Sequence, residues 1–175
     1  MDYKILEFIR LHFKCSFLDK FMKHFSTLFN YSIIWMILGV GLFFFKSTRQ
    51  FGFEIFFALT LELLVCNAIV KRFTKRERPF RRNEEVNLLI NPPKDYSFPS
   101  GHTLCAFLAA TIMIYFNLWI GIALFLVAFI IAFSRVYLYV HFPSDVLAGA
   151  ILGVCIALIS HVCTERMINL GWLEL

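Results

Sequence analysis

Six ionisable residues in the middle of the chain have the types and spacing for chemistry on a phosphate: Lys71, Arg78, His102, Arg135, His141 and Asp145. Lys71 and Arg78 are fixed cations, and the planar fork of an arginine matches two oxygens of a phosphate. They imply an anionic ligand. His102 follows Pro99-Ser100-Gly101, which reads as a helix start with Ser100 as N-cap and Gly101 allowing close backbone approach. The N–H groups and positive dipole end of such a helix attract phosphate. His141 stands four residues before Asp145 with Pro143 between them, so Asp145 is expected in the first turn of a new helix capped by Ser144. A carboxylate close to an imidazole fixes its tautomer, which makes His141 a plausible nucleophile and leaves His102 as the better proton donor.

Each piece has a plain alternative. Lys71 and its basic neighbours suit anionic lipid headgroups, Ser100 and Gly101 suit a simple cap, and Asp145 suits a helix dipole. Arg135 is harder to dismiss, because it interrupts an apolar run where an unpaired charge costs about 3 kcal/mol. It needs a partner, and phosphate is one.

These residues must be positioned by membrane helices. The chain has 175 residues, is 59% hydrophobic and 18% aromatic, contains 22 Phe and has a mean hydropathy of +0.72. That excludes an ordinary soluble domain and implies a polytopic membrane protein. Five apolar runs approach spanning length: residues 31–45, 51–70, 102–116, 118–140 and 146–163. The expectation is an all-α membrane bundle of about five transmembrane helices in one domain over 1–175, with an active-site loop over 71–98. Residues 1–29 mix apolar and charged positions and are expected to form one or two amphipathic helices in the interface. With successive spans antiparallel, the clusters at 71–79, 99–102 and 134–145 share one membrane face.

Other features say less. The five cysteines lie in or beside apolar segments without paired metal-ligand spacing and are read as buried small hydrophobes. No nucleotide or metal motif is present, so no cofactor is expected, and nothing suggests nucleic acid. Asn30-Tyr31-Ser32 matches a glycosylation sequon but abuts a span and is read as accidental. Glu62, in the second span, is expected to be structural.

Lys71 with Arg78-Pro79, Pro99-Ser100-Gly101-His102, and Ser134-Arg135 with His141 and Asp145 together resemble the three-part signature of the type 2 phosphatidic acid phosphatase (PAP2) superfamily, complete and in order. The resemblance implies a metal-independent membrane phosphatase. It makes His141 the nucleophile of a phosphohistidine, Asp145 its orienting acid and His102 the acid for the leaving group. Lys71, Arg78, Arg135, the Ser100 side chain and the Gly101 N–H would hold phosphate oxygens. The hydropathy excludes the soluble haloperoxidase branch. Many relatives have six spans, one more than expected here.

The implied partners are membrane lipids and a lipid phosphate substrate whose tail stays in the bilayer. Undecaprenyl diphosphate is the preferred substrate, with phosphatidylglycerophosphate, phosphatidic acid and lipid A 1-phosphate as alternatives. A lipid-phosphate binder or flippase is the non-enzymatic alternative. The expected location is a bacterial inner or plasma membrane. All Lys and Arg except Lys46, Arg49 and Arg166 fall on the motif face under a five-span reading, which by charge alone is cytoplasmic. The resemblance implies the extracytoplasmic face, and much of that charge has a catalytic explanation.

Overall fold

The computed structural model describes residues 1–29, 32–83 and 86–174; Asn30 and Tyr31 of the sequon lie outside these. The described residues contain helices and no strands: α1 (Asp2–His12), α2 (Ser16–Leu28), α3 (Ile33–Phe43), α4 (Arg49–Glu62) continued by a π-helical stretch (Leu63–Val70), α5 (Lys71–Thr74), α6 (Pro79–Arg82), α7 (Gly101–Phe116), α8 (Leu118–Tyr137) and α9 (Pro143–Asn169).

At the centre stands α7. Every residue from Thr103 to Met113 is buried, and α7 packs chiefly on α8 and α9, and also on α4 and α3. Side chains that look outward from the surrounding helices are large and apolar, among them Leu126 and Phe129 of α8 and Ile151, Leu158 and Val162 of α9. This is a lipid-facing surface around a protein-facing core.

The five expected apolar runs all form helices, but they differ as spans. The run Arg49–Arg82, from α4 through the π stretch and α5 to α6, is long and apolar enough to cross a bilayer, and so are α8 and α9. α7 has 16 residues, about 24 Å; being sheathed by other helices, it is not required to match the lipid thickness. α3 has 11 residues and reaches spanning length only together with α2, across a bend of 50°. The N-terminal segment is therefore more than a pair of interfacial helices. α1 buries Leu6 against Val136, Tyr139 and Phe142, and α2 buries Met22 against Tyr137, Leu138 and Val140. Polar bonds add to this docking: Tyr139 donates to Glu7 (2.5 Å) and Tyr137 to Asp19 (2.7 Å).

The close α7–α9 crossing depends on glycine at two positions. A Cβ on Gly149 would lie 2.6 Å from the Ser100 carbonyl oxygen, and one on Gly153 would lie 2.4 Å from that of Leu104. The Gly-x-x-x-Gly spacing thus brings the α9 and α7 backbones together. At the other end of the bundle the fully buried Glu54 lies 3.1 Å from Nδ1 of His161 and accepts from Gln50, which also donates to Glu165. Of the cysteines, Cys66 and Cys105 are buried as expected, whereas Cys15, which precedes α2 as its N-cap, and Cys155 of α9 are exposed on the protein surface.

The glycine contacts generate a paired expectation. Gly149→Ala overpacks the α7–α9 crossing and should destabilise the protein by about 1–3 kcal/mol. Gly41, with nothing within 4 Å of its added Cβ, should accept alanine with no loss of stability. Thermal unfolding in one detergent compares them, and equal losses would contradict this account of the crossing.

Candidate active site

The three motif clusters converge where α4/α5, α7, α8 and α9 meet. The π stretch explains how the first of them arrives there. Along an ideal α-helix, nine residues turn the chain about 900°, so Glu62 and Lys71 would lie on opposite sides. A π-helix, bonded i→i+5, turns about 82° per residue and brings them to within about 40° of one another. Both indeed flank the same glycine: a Cβ on Gly101 would be 3.8 Å from Glu62 Oε1 and 3.9 Å from Lys71 Nζ. These are ordinary contacts, so packing alone does not demand glycine at 101.

His141 is delivered by the turn after α8. Tyr139 takes a left-handed backbone (φ 60°), an uncommon conformation for a bulky residue, and the N–H groups of Val140 and His141 then both donate to the Arg135 carbonyl at 3.2 Å. The His141 side chain is buried. Its Nδ1 lies 2.7 Å from the Ser97 carbonyl oxygen. A carbonyl can only accept, so Nδ1 carries the proton and Nε2 bears the lone pair. Arg78 Nη1 donates to that Nε2 at 2.9 Å and to the Val140 carbonyl at 2.8 Å. Burial, then the charges of Arg78, Arg135 and Lys71, push the imidazole well below its ordinary pKa, so it is neutral at physiological pH.

Asp145 is placed by its helix start. Phe142 occupies the N-cap and Pro143 the first turn, and the carboxylate at N3 accepts the Phe142 backbone N–H at 2.8 Å. Ser144, expected as the cap, instead donates its hydroxyl to Asp2 at 2.5 Å. Asp145 Oδ2 accepts the Ser97 hydroxyl at 2.5 Å, and the approach of this carboxylate to His141 Nδ1 is 3.7 Å. It therefore holds the imidazole through Ser97 rather than by a direct hydrogen bond. Its other oxygen meets Arg76 at 2.6 Å, and Arg76 reaches on to Asp2 at 2.7 Å and lies over the Phe142 ring.

Around the imidazole are the cations. Arg78 is 3% exposed and is paired with Asp95. Asp95 accepts from Lys71 and from Arg78 Nη2, each at 2.7 Å. Buried Arg135 donates Nη1 to Ser26 of α2, while its Nε finds no hydrogen-bond partner among the described residues. A buried, unpaired guanidinium N–H costs free energy unless an acceptor meets it. Ser100 is the N-cap of α7, as expected, but its hydroxyl pairs with Thr103 at 3.0 Å and makes no cap bond. Its N–H donates to the Asp145 carbonyl at 3.1 Å, tying the second cluster to the third. His102 lies in the first turn of α7, where the charges of Arg135, Arg78 and Lys71 reach it.

All eight motif residues identified from sequence thus lie at one helix-end cluster. Sequence reasoning missed Ser97 and Asp95, and took Arg76 only as one of the basic neighbours of Lys71. Ser97 acts through a backbone carbonyl, which leaves no signature in side-chain type. Arg76 and Asp95 are hidden among charges that serve equally as a solvated face.

The geometry agrees with comparisons to known proteins. The model of the PAP2 superfamily matches residues 51–168. An undecaprenyl-diphosphatase of Sulfolobus acidocaldarius is 32% identical over 137 residues, covering 78% of this chain and 66% of that protein. The crystal structure of Aquifex aeolicus LpxE is similar at a TM-score of 0.79 and 34% identity, over 91% of this chain and 93% of that one. A transmembrane PAP2-type phosphatidylglycerolphosphate phosphatase from Bacillus subtilis is similar at a TM-score of 0.76 and 26% identity, over 95% of this chain and 85% of that one. The chain spans 60 to 66% of the length of four curated relatives it matches. With the family model covering more than half of the chain, and the three motif clusters gathered at one site, the protein belongs to the PAP2 superfamily and is a helical integral membrane protein.

Proposed function

We propose that this chain acts as one membrane phosphatase domain, 1–175, that removes a phosphate from a lipid headgroup through a phosphohistidine. The observation that carries the reading is the Nδ1 hydrogen bond of His141 to the Ser97 carbonyl, 2.7 Å. It leaves the Nε2 lone pair facing a cluster of buried cations.

In this reading Nε2 of His141 attacks phosphorus as the bond from phosphorus to the lipid oxygen breaks. His102 protonates the departing oxygen. The His141 proton stays on Nδ1, hydrogen-bonded to the Ser97 carbonyl, while the ring becomes cationic, and Asp145 steadies Ser97 by accepting its hydroxyl. His102, now neutral, takes a proton from water, whose oxygen attacks the phosphohistidine and releases phosphate with His141 neutral again. Lys71, Arg78 and Arg135 hold the phosphate oxygens with the Gly101 N–H, and the Arg135 Nε, without a partner among the described residues, is the donor such an oxygen would satisfy. The Ser100 hydroxyl joins them by turning from Thr103.

Undecaprenyl diphosphate is the favoured substrate. The site sits at helix ends, so an isoprenoid tail can remain in lipid while a terminal phosphate enters, and several similar proteins carry that activity in their names. Similar proteins named for phosphatidylglycerophosphate and lipid A 4'-phosphate keep other headgroups as alternatives. We place the site at the extracytoplasmic face of a bacterial inner or plasma membrane, with the motif-face charge assigned to phosphate binding.

Two measurements test the reading. Purified protein in detergent and EDTA should release phosphate from undecaprenyl diphosphate with a higher kcat/KM than from the alternative lipids, and His141→Ala should lose at least about 10³-fold in kcat. Binding of the lipid without release would favour the binder or flippase. The role of His102 is tested by leaving group. His102→Ala should lose far more activity on a phosphomonoester lipid than on an activated aryl phosphate, whose phenoxide departs unprotonated. Equal losses on both would assign His102 to phosphate binding instead.

A further inference from the structure

Asp95 has no role in the mechanism above, yet it makes the strongest contacts to the proposed phosphate-binding cations. One carboxylate oxygen meets Lys71 Nζ and the other Arg78 Nη2, both at 2.7 Å, and the Asp95 backbone carbonyl accepts Arg78 Nε at 3.0 Å. Two oxygens on one centre, each against a different cation, is the arrangement a phosphate would adopt there.

Accepting the phosphatase reading on which this rests, we propose that Asp95 is a specificity-determining internal anion, which keeps Lys71 and Arg78 from singly charged headgroups and yields them to a doubly charged terminal phosphate. The reasoning begins with Arg78. Being 3% exposed, its charge cannot rely on water and needs an anion beside it. Asp95 supplies one and is itself 49% exposed in its side chain. It sits in the connection between α6 and α7, residues 83–100, so its carboxylate can turn outward into water while its carbonyl keeps hold of Arg78 Nε. Burial would raise the Asp95 pKa, but Arg78 and Lys71 outweigh that and hold the carboxyl well below its usual range. The anion is therefore present at every working pH.

Competition then depends on charge. The phosphodiester of an ordinary phospholipid brings one negative charge. It would replace a carboxylate that already has one and is already tethered, so it gains nothing from these two cations. A terminal phosphate brings about two charges and three acceptor oxygens, enough to take Lys71 and Arg78 and to meet the Arg135 Nε as well. In a bilayer made of phosphodiesters, a cationic site without such an internal anion would be occupied by bulk lipid.

The test compares two soluble anions, inorganic phosphate and dimethyl phosphate, at pH 8. The first is mainly doubly charged there and the second singly charged. Each is measured as a competitive inhibitor of aryl phosphate hydrolysis and as a ligand that raises the Tm in detergent, with the parent, Asp95→Asn and Asp95→Ser. In the parent, dimethyl phosphate should bind far more weakly than phosphate. In the variants the ratio of the two dissociation constants should narrow by at least about tenfold, through tighter dimethyl phosphate. An unchanged ratio, or weaker binding of both anions, would overturn the proposal and make Asp95 a support for the cations. If the parent binds both anions without hydrolysing any phosphate ester, the phosphatase reading fails, and a narrowed ratio by Tm shift would still uphold Asp95 as the discriminating anion.

Discussion

A neutral histidine is held inside a cluster of positive charges, and the rest of the site follows from keeping it so. His141 is buried beside Arg78, and its one proton is fixed on Nδ1 by the Ser97 carbonyl. The tautomer would fail if residue 97 moved, because Nδ1 would lose its acceptor. A chain of contacts restrains it: Ser97 to Asp145, Asp145 to Arg76, Arg76 to Asp2. The first helix of the protein thus steadies an imidazole 139 residues further on, through four polar side chains. Ser97 also receives a backbone constraint, its N–H donating to the Arg76 carbonyl at 2.8 Å.

This arrangement suits a membrane enzyme for a physical reason. Helix ends are the places in a bundle where backbone groups are unsatisfied and where water and lipid headgroups meet the protein. By crowding the starts of α7 and α9 against the end of α8, the fold gathers N–H groups and cations at one end of the bundle. Gly149 and Gly153 permit that crowding, because any side chain there would strike the α7 backbone. In the proposed reaction, the apolar outer faces of the same helices would leave the tail of a lipid substrate in its own solvent.

Much of this was legible in the chain. The five apolar runs became helices because sustained hydrophobicity of that length has few other solutions. The motif residues met because antiparallel spans bring alternate ends to one face. What was hidden depended on backbone geometry. The π stretch between Glu62 and Lys71 has no residue-type signal, and it places a carboxylate expected to be only structural beside Gly101 and Lys71. The Ser97 carbonyl is equally invisible, so Asp145 was expected to touch His141 directly when it acts through that residue. Amphipathic patterning marked residues 1–29 as peripheral, but patterning cannot report that Asp2, Glu7 and Asp19 pair with Ser144, Tyr139 and Tyr137.

The tautomer of His141 makes the most direct claim, since it decides which ring nitrogen can attack. Protein mixed with a lipid phosphate, quenched in alkali within the turnover time and mapped by mass spectrometry and phosphorus NMR should carry phosphate on Nε2 of His141. Phosphate on Nδ1, on His102, or on no residue while turnover proceeds would contradict the account.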